Sequence, residues 1–178
     1  MTQRQEFRVI RSYGGFELRE YAQCSIAEVR VSADYSSAGS IAFRSLFGYI
    51  AQGNKRSEKI AMTAPVISAQ KAEKAADDEW FVSFVMPAGS TVAQLPDPSD
   101  PRVVLRQLEA ESCIAASFRG RANEDVMKKK VAELRALAAK ENIALSEETR
   151  ICRFDPPMKP GFLQYNEIVI PISKNHSA

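Results

Sequence analysis

Two stretches of the chain repeat one order of structural signals, and this internal repeat constrains the fold more than any other feature. The stretches read FELREYAQCSIAEVRVS from residue 16 and VVLRQLEAESCIAASFRG from residue 103. Leu18 corresponds to Leu105 and Ile26 to Ile114, so the offset is 87 to 88 residues. Two copies with so long a period do not build a solenoid. The pattern instead predicts a duplicated β-β-α-β-β unit, over about residues 13–87 and 102–173, whose copies share one antiparallel sheet or barrel.

Alternating apolar and polar residues between short breaks predict the strands of this fold. The predicted strands cover residues 7–13, 16–21, 24–32, 59–68, 80–87, 102–110, 112–120, 150–155 and 166–173. A charged patch over 70–79 is predicted to form a hairpin loop, and the proline-rich segment 88–101 a connector. Strands mixed with two helices in a chain of this length are typical of a single α+β domain, here residues 1–178.

The first predicted helix, over residues 35–54, carries a wider apolar arc than packing on a sheet requires. Its terminal residues are predicted to be Ser36 or Ser37 at the start and Gly53-Asn54 at the end. A helix that lies on a sheet needs an apolar stripe of about 100°. The excess consists of Phe43, Phe47 and Ile50, which contact either another part of the fold or an apolar ligand. The second helix, over 123–142 with Asn123 as its cap, has a narrower face.

Composition excludes several classes of function. The net charge is +2, from 24 basic and 22 acidic residues, so the chain lacks the basic surface that nucleic acids select. No apolar run approaches the roughly 18 residues of a membrane span. The three cysteines are far apart, form no CxxC pair and follow a polar amino end, which predicts reduced thiols and a cytoplasmic protein. None of these features sets an oligomeric state.

The sequence contains few candidate catalytic residues. His176 is the one histidine and lies two residues from the carboxyl end. Neither a Ser-His or Cys-His dyad nor a histidine zinc site can therefore form in the core. No Walker or Rossmann glycine pattern occurs. Among the carboxylates Glu58, Asp155 and Glu167, no spacing indicates a pair, and Glu167 is the best candidate for a general base. The pattern predicts a protein that is not an enzyme.

The segment FDPPMKPGFLQYNE, residues 154–167, is a candidate partner for the apolar excess of the first helix. Its three prolines fix the backbone and remove hydrogen-bond donors. Met158 and Phe162 supply apolar surface, and Lys159 supplies a cation. Facing the helix, this segment would form a cleft suited to a flat apolar molecule that carries carboxylates. The alternative is a rigid connection between strands with an exposed lysine.

The stretch KIAMTAPV, residues 59–66, resembles a motif of the SOUL haem-binding protein family. AFRSLFGYIAQGN before it, and DPPMKPGF and YNEIVIPI after it, extend the resemblance over about residues 13–172. The resemblance implies two pseudo-symmetric halves that form a distorted antiparallel β-barrel flanked by two helices, similar to gyrase-inhibitor-like ligand-binding domains. It also implies a tetrapyrrole cleft between the first helix and the loop before the last strand. Phe43 and Phe47 would lie in its apolar wall, and Lys159 would reach a propionate.

Two departures from the family pattern affect the expected haem site. Ser40 stands where relatives carry a basic residue on the first helix, which removes one propionate contact. No histidine is available as an axial ligand in the folded part of the chain. Iron would then be held weakly, by Met62, Met158 or a cysteine, or would not be ligated. Met62 also has an alternative interpretation as a core methionine.

We therefore expect a non-enzymatic protein that binds haem or another tetrapyrrole in an open apolar cleft, without histidine ligation. The residues expected to contact the ligand are Phe43, Phe47, Ile50, Met62, Met158, Lys159 and Phe162. One alternative is a general binding module for small hydrophobic molecules, of the gyrase-inhibitor-like type, that does not bind haem in the cell. A second alternative is a hydrolase on the same scaffold that uses Glu167.

Overall fold

The computed structural model describes residues 2–71 and 78–174. The strands are β1 (Gln3–Arg4), β2 (Phe7–Tyr13), β3 (Phe16–Tyr21), β4 (Cys24–Ser32), β5 (Thr63–Ala64), β6 (Val66–Gln70), β7 (Glu79–Val85), β8 (Val104–Leu108), β9 (Glu111–Arg119), β10 (Thr149–Arg153) and β11 (Tyr165–Pro171). The helices are α1 (Tyr35–Ile50), α2 (Glu124–Lys140) and a short 3-10 helix (Gly161–Leu163). His176 and most of the predicted hairpin loop over 70–79 lie outside the described residues. No helix in the described ranges is long and apolar enough to cross a membrane.

Nine strands form one curled antiparallel sheet in the order β2-β3-β9-β11-β10-β6-β7-β4-β8. The pair β6-β10 lies at the centre of the symmetric part of this order, which continues as β7-β4-β8 on one side and as β11-β9-β3 on the other. The first strand of each predicted repeat is exchanged, because β3 pairs with β9 and β8 pairs with β4. This topology confirms the predicted α+β fold, with two helices on a distorted half-barrel.

Helix α1 has an earlier cap and an earlier end than the sequence pattern predicts. Asp34 is its cap, because the Asp34 carboxylate accepts a hydrogen bond from the Ser37 amide at 3.0 Å. The prediction of a serine cap was wrong, since an aspartate is an equally good cap and Asp34 precedes Ser36 by two residues and Ser37 by three. The helix ends at Ile50, and Asn54 reaches back to donate to the Tyr49 carbonyl at 3.1 Å. Asn123 caps α2 as predicted, accepting from the Val126 amide at 2.9 Å.

The predicted strand over 59–68 is interrupted. Within this range only β5 and β6 are strands, and the cis peptide bond Ala64-Pro65 lies between them. Pro65 has no amide hydrogen to donate to a ladder, which explains a break at this position. The residues before β5 run beside the end of α1, where the Ile60 amide donates to the Ile50 carbonyl at 2.8 Å.

The two faces of the sheet have different interiors. Both helices pack on one face, over a large apolar core that includes Leu46, Trp80 and Ile168. The other face carries a smaller apolar cluster, with Tyr21, Cys113 and Cys152 among its members. That second face also carries buried charged groups, the guanidinium groups of Arg19 and Arg150 and the carboxylates of Glu28 and Glu167. The helix face therefore offers apolar surface, and the second face offers polar networks.

Candidate ligand-binding cleft

Two partly exposed phenylalanines, Phe43 and Phe47, lie on one flank of α1. Phe43 is 39% exposed and Phe47 is 50% exposed. Their rings are stacked, with centroids 5.7 Å apart and planes 14° from parallel. The pair stays outside because the buried face of α1 is centred on residues such as Ala38, Ala42 and Leu46. At about 3.6 residues per turn, positions 43 and 47 fall at the edge of that face.

This flank faces the middle of the sheet. Gly39 precedes Phe43 by one turn, and a Cβ atom added there would lie 3.2 Å from Nη2 of Arg153, on the central strand β10. Phe43 also contacts Phe84 of β7 edge-on, with ring centroids 5.6 Å apart. Phe84 pairs with Val66, and Val66 pairs with Arg153. The stripe Gly39-Phe43-Phe47 therefore borders a strip of sheet that runs from Phe84 to Arg153.

The loop before β11 is tied to its own ends. Lys159 Nζ lies 2.8 Å from Asp155 Oδ1, and the other carboxylate oxygen of Asp155 accepts from the Tyr165 amide at 2.7 Å. The hydrogen bond from Lys159 holds the pKa of Asp155 below its ordinary value. Met158 and Phe162 are the most exposed large apolar side chains of the described residues, at 93% and 76%. The charge of Lys159 is thus already compensated, while the apolar side chains of the loop are uncovered.

Two of the predicted contact residues behave differently from the rest. Ile50 is buried in the core beneath α1, so it is absent from the open surface and leaves the candidate site. Met62 is 39% exposed, in the segment that runs beside the end of α1. That exposure favours its interpretation as surface that a ligand can reach, rather than as a core methionine.

The three cysteines, which are the thiol candidates for an iron ligand, lie in or against the apolar cluster on the opposite face of the sheet. Cys113 and Cys152 belong to the apolar cluster on the opposite face of the sheet, and burial raises the pKa of Cys113 to about 12. No group of three or more His, Cys, Asp or Glu side chains in the described ranges could hold a metal ion. The donor set of this surface therefore fits a porphyrin held by apolar contact better than one held through its iron.

The opposite face of the sheet contains a polar network that the sequence pattern does not reveal. Arg19 donates to both carboxylate oxygens of Glu167, at 2.8 and 3.0 Å, and Tyr165 donates to Glu167 at 2.7 Å. Burial alone would lower the pKa of Arg19, but its hydrogen bonds to Glu167 leave that pKa raised. A cavity of about 260 Å³ lies beside the pair, lined also by Phe7 and Tyr21. Glu167, predicted to be an unpaired carboxylate, is therefore bound on both oxygens.

Comparison with known proteins identifies the class to which this fold and surface belong. A family model described as SOUL heme-binding protein matches residues 2–171. The Xenopus tropicalis protein "Heme-binding protein 1" is 26% identical over 147 residues, which cover 82% of this chain and 77% of that protein. The chain belongs to the SOUL haem-binding protein family.

Solved structures show that the fold is shared more widely. The C-terminal domain of EcmrR superposes with a TM-score of 0.68 at 14% identity, covering 89% of this chain and 97% of that one. A protein from Listeria innocua, described as a hydrolase encoded by lin2189, superposes with a TM-score of 0.59 at 16% identity, covering 89% and 91%. At these identities the likeness concerns the fold alone.

Proposed function

We propose that the protein binds haem or another tetrapyrrole without catalysing a reaction, and that the macrocycle lies against Phe43 and Phe47. The proposal joins the family membership to one observation, the exposed stacked ring pair on the flank of α1 that faces the central strands. Met62, and the loop residues Met158, Phe162 and Lys159, are proposed to complete the cleft. The three free cysteines are consistent with action in the cytoplasm.

Apolar contact is sufficient for useful affinity at such a surface. Covering a few hundred Å² of apolar surface, at about 25 cal/mol per Å², gives roughly micromolar affinity after ordering costs. Haem would add iron chemistry only if Met62 or Met158 approached the metal. Without such a ligand, the cleft has no means of preferring haem to a metal-free porphyrin.

The test is a titration with haemin and with protoporphyrin IX, followed by absorbance and by quenching of Trp80 fluorescence. We expect micromolar dissociation constants for both, within about threefold of each other, because apolar burial dominates. The position of the haem Soret band reports any thioether ligation. Failure of both compounds to saturate the protein would contradict the proposal.

Phe47→Asp tests the placement of the ligand. A charge at the centre of the apolar wall should weaken protoporphyrin IX binding at least tenfold, because it removes apolar contact and repels the ligand carboxylates. Phe47 is already half exposed, so the variant should keep the wild-type fold. Ile41→Asp is the matched control, because Ile41 is 46% exposed on the other flank of the same helix. Equal affinities of the Phe47 and Ile41 variants would place the ligand elsewhere.

A second candidate function is supported by the cavity of about 260 Å³ on the opposite face. Its aromatic lining, with the charges of Arg19 and Glu167 paired, suits a small uncharged hydrophobic molecule. Such a module would bind a neutral dye such as Nile red, and Phe7→Ala would weaken that binding while Phe47→Asp would not. Binding of the dye with no binding of porphyrin would favour this second function.

A hydrolase that uses Glu167 is disfavoured on physical grounds. A general base needs a carboxylate that can accept a proton, whereas both oxygens of Glu167 accept hydrogen bonds from Arg19 and one also accepts from Tyr165. Ester turnover by the wild-type protein that Glu167→Gln abolishes would reverse this conclusion.

A further inference from the structure

Arg153 lies at the end of β10, on the face of the sheet that the helices cover. Its guanidinium group has no anionic partner among the described residues. The buried arginines Arg19 and Arg150 each pair with carboxylates, Arg19 with Glu167 and Arg150 with Glu111. Arg153 makes no salt bridge or hydrogen bond in the described ranges, and its Nε atom is buried without a partner. Its contact with Tyr35 is through the ring, 5.8 Å from the guanidinium carbon to the centroid. A partly buried cation in this state is stabilised by any anion that can reach it.

Other donors without partners lie on the same face of the sheet, and one of them, Tyr35, contacts this guanidinium. The Tyr35 hydroxyl, the Ser68 hydroxyl and the Trp80 indole N–H are buried and unpaired. Tyr35 and Trp80 contact each other edge-on at 5.1 Å, and Ser68 lies opposite Ile151, two residues before Arg153 on the same face of β10. Burial raises the pKa of Tyr35, and the charge of Arg153 opposes that rise, so the cation acts on the hydroxyl. The region beneath the first half of α1 thus contains four donor groups that make no hydrogen bond to another described residue.

The guanidinium lies at the end of the apolar stripe. Its Nη atoms lie against the backbone of α1 at Gly39, where an added Cβ would be 3.2 Å from Nη2. Phe43 and Phe47 follow Gly39 by one and two turns, about 6 and 12 Å along the helix axis. A planar apolar body over the two rings would therefore bring a carboxylate on its edge to Arg153.

Lys159, which the family resemblance assigns to a propionate, is less suited than Arg153 to bind a carboxylate of the ligand. Its ammonium group already pairs with Asp155 at 2.8 Å, so a ligand carboxylate would have to displace that partner. Arg153 requires no such displacement, and a guanidinium can hold a carboxylate through two parallel hydrogen bonds.

We propose that Arg153, with the Tyr35 hydroxyl beside it, anchors a carboxylate of the ligand at the Gly39 end of the stripe. This inference rests on the proposed function and names the charged contact of that site. Apolar contact with Phe43 and Phe47 provides affinity, and Arg153 fixes which edge of the ligand points inward.

The experiment compares protoporphyrin IX, which has two free carboxylates, with its dimethyl ester, which has none. Arg153→Met should weaken protoporphyrin IX binding about tenfold to a hundredfold and leave binding of the ester within about twofold, because only the free acid uses the charge. Arg153→Lys should give a smaller loss, since it keeps the charge but not the paired hydrogen bonds. Arg44→Met is the matched control, because Arg44 is an exposed arginine outside the buried face of α1, and it should change neither affinity by more than about twofold.

Each outcome separates this inference from the function on which it rests. A wild-type protein that binds neither porphyrin overturns the proposed function and the anchor with it. A wild-type protein that binds, with Arg153→Met binding the free acid equally well or losing both compounds equally, overturns the anchor alone. If Arg153→Met does not fold, Arg153→Lys decides: a loss for the free acid that exceeds the loss for the ester supports the anchor, and equal losses contradict it.

Discussion

Glu28 is a carboxylate that the sheet keeps charged although it is 8% exposed. Arg106 donates to it at 2.7 Å, Ser83 at 3.2 Å and Lys71 at 3.3 Å. Burial by itself would raise the pKa of Glu28, but the hydrogen bond from Arg106 and the charges of Arg106 and Lys71 leave it below its ordinary value of 4.5. Its folded-state pKa is lower than its unfolded-state pKa, so the charged form stabilises the folded protein at neutral pH.

Glu28→Gln should lower the free energy of unfolding by roughly 1.5–3 kcal/mol at pH 7, because it removes charge-assisted hydrogen bonds. The stability from Glu28 is present above its unfolded-state pKa and is lost as the pH falls through the lower folded-state pKa. The difference between wild type and variant should therefore shrink between pH 7 and pH 3, as measured by urea unfolding at both values. Glu20→Gln is the control, since Glu20 is half exposed in its pair with Arg8 and should cost less than about 1 kcal/mol. A wild-type to Glu28→Gln difference that is equal at the two pH values would contradict the assigned pKa direction.

At the scale of single residues, the sequence predicts which side chains are exposed better than it predicts which side chains contact each other. Phe43 and Phe47 could be selected because helical periodicity alone places them outside a normal apolar stripe. Arg153 could not be identified as a candidate from the sequence, because its lack of an anionic partner depends on where β10 lies relative to α1. The Arg19–Glu167 pair joins residues 148 positions apart and was likewise hidden. Local patterns do not encode which distant strand becomes a neighbour.

The end of α1 shows how an element is closed by residues beyond it. Gln52 has φ of 89°, in the left-handed region, and the Gly53 amide donates to the Gly48 carbonyl at 2.8 Å. This six-to-one hydrogen bond is the one that closes a Schellman motif. The sequence predicted Gly53-Asn54 as the terminator, but the left-handed position belongs to Gln52. Gly53 serves instead to let two segments of backbone approach.

Gly53→Ala should destabilise the protein by roughly 1–3 kcal/mol, because its Cβ would lie 2.5 Å from the carbonyl oxygen of Gly48 and force the backbone apart. Gly48→Ala is the matched control. A Cβ at Gly48 meets no atom within 4 Å, and alanine is favoured over glycine inside a helix by about 1 kcal/mol. Thermal unfolding of both variants measures the contrast. A Gly53→Ala protein as stable as Gly48→Ala would show that the turn after α1 adjusts without cost.

At the scale of elements, boundaries were less predictable than types. Most predicted strands have counterparts in the structure, and both helices occur where apolar periodicity places them. The segment 59–68 was predicted as one strand because its side chains are suitable for a strand. Its first residues instead run beside the end of α1, and the missing amide hydrogen of Pro65 separates β5 from β6. The cap of α1 was misplaced because Asp34 and the serines after it are all good caps. The sequence offers several acceptable ends, and tertiary packing selects one.

The exchange of β3 and β8 links the two halves of the whole molecule. Glu17–Tyr21 of β3 pair with Glu111–Ala115 of β9, and Cys24–Glu28 of β4 pair with Val104–Leu108 of β8. Each half-sheet therefore contains one strand from the other repeat. The repeat boundaries near 13–87 and 102–173 remain a prediction of the sequence, but neither segment contains a complete half-sheet. Separate unfolding of the halves would require each to lose an internal strand pairing.

We therefore expect the chain to unfold in one cooperative transition, as a single domain. Trp80, the one tryptophan, is buried in β7 and reports the first half. Cys113 and Cys152 are buried in β9 and β10 and report the second half. In a Cys24→Ser background, pulse labelling of the two buried thiols across a urea series should give the same midpoint as Trp80 fluorescence. Native protein should resist labelling at pH 8, because burial raises the pKa of both thiols. A fluorescence midpoint clearly below the labelling midpoint would mean that the first half unfolds alone, and that the exchanged strands do not couple the halves.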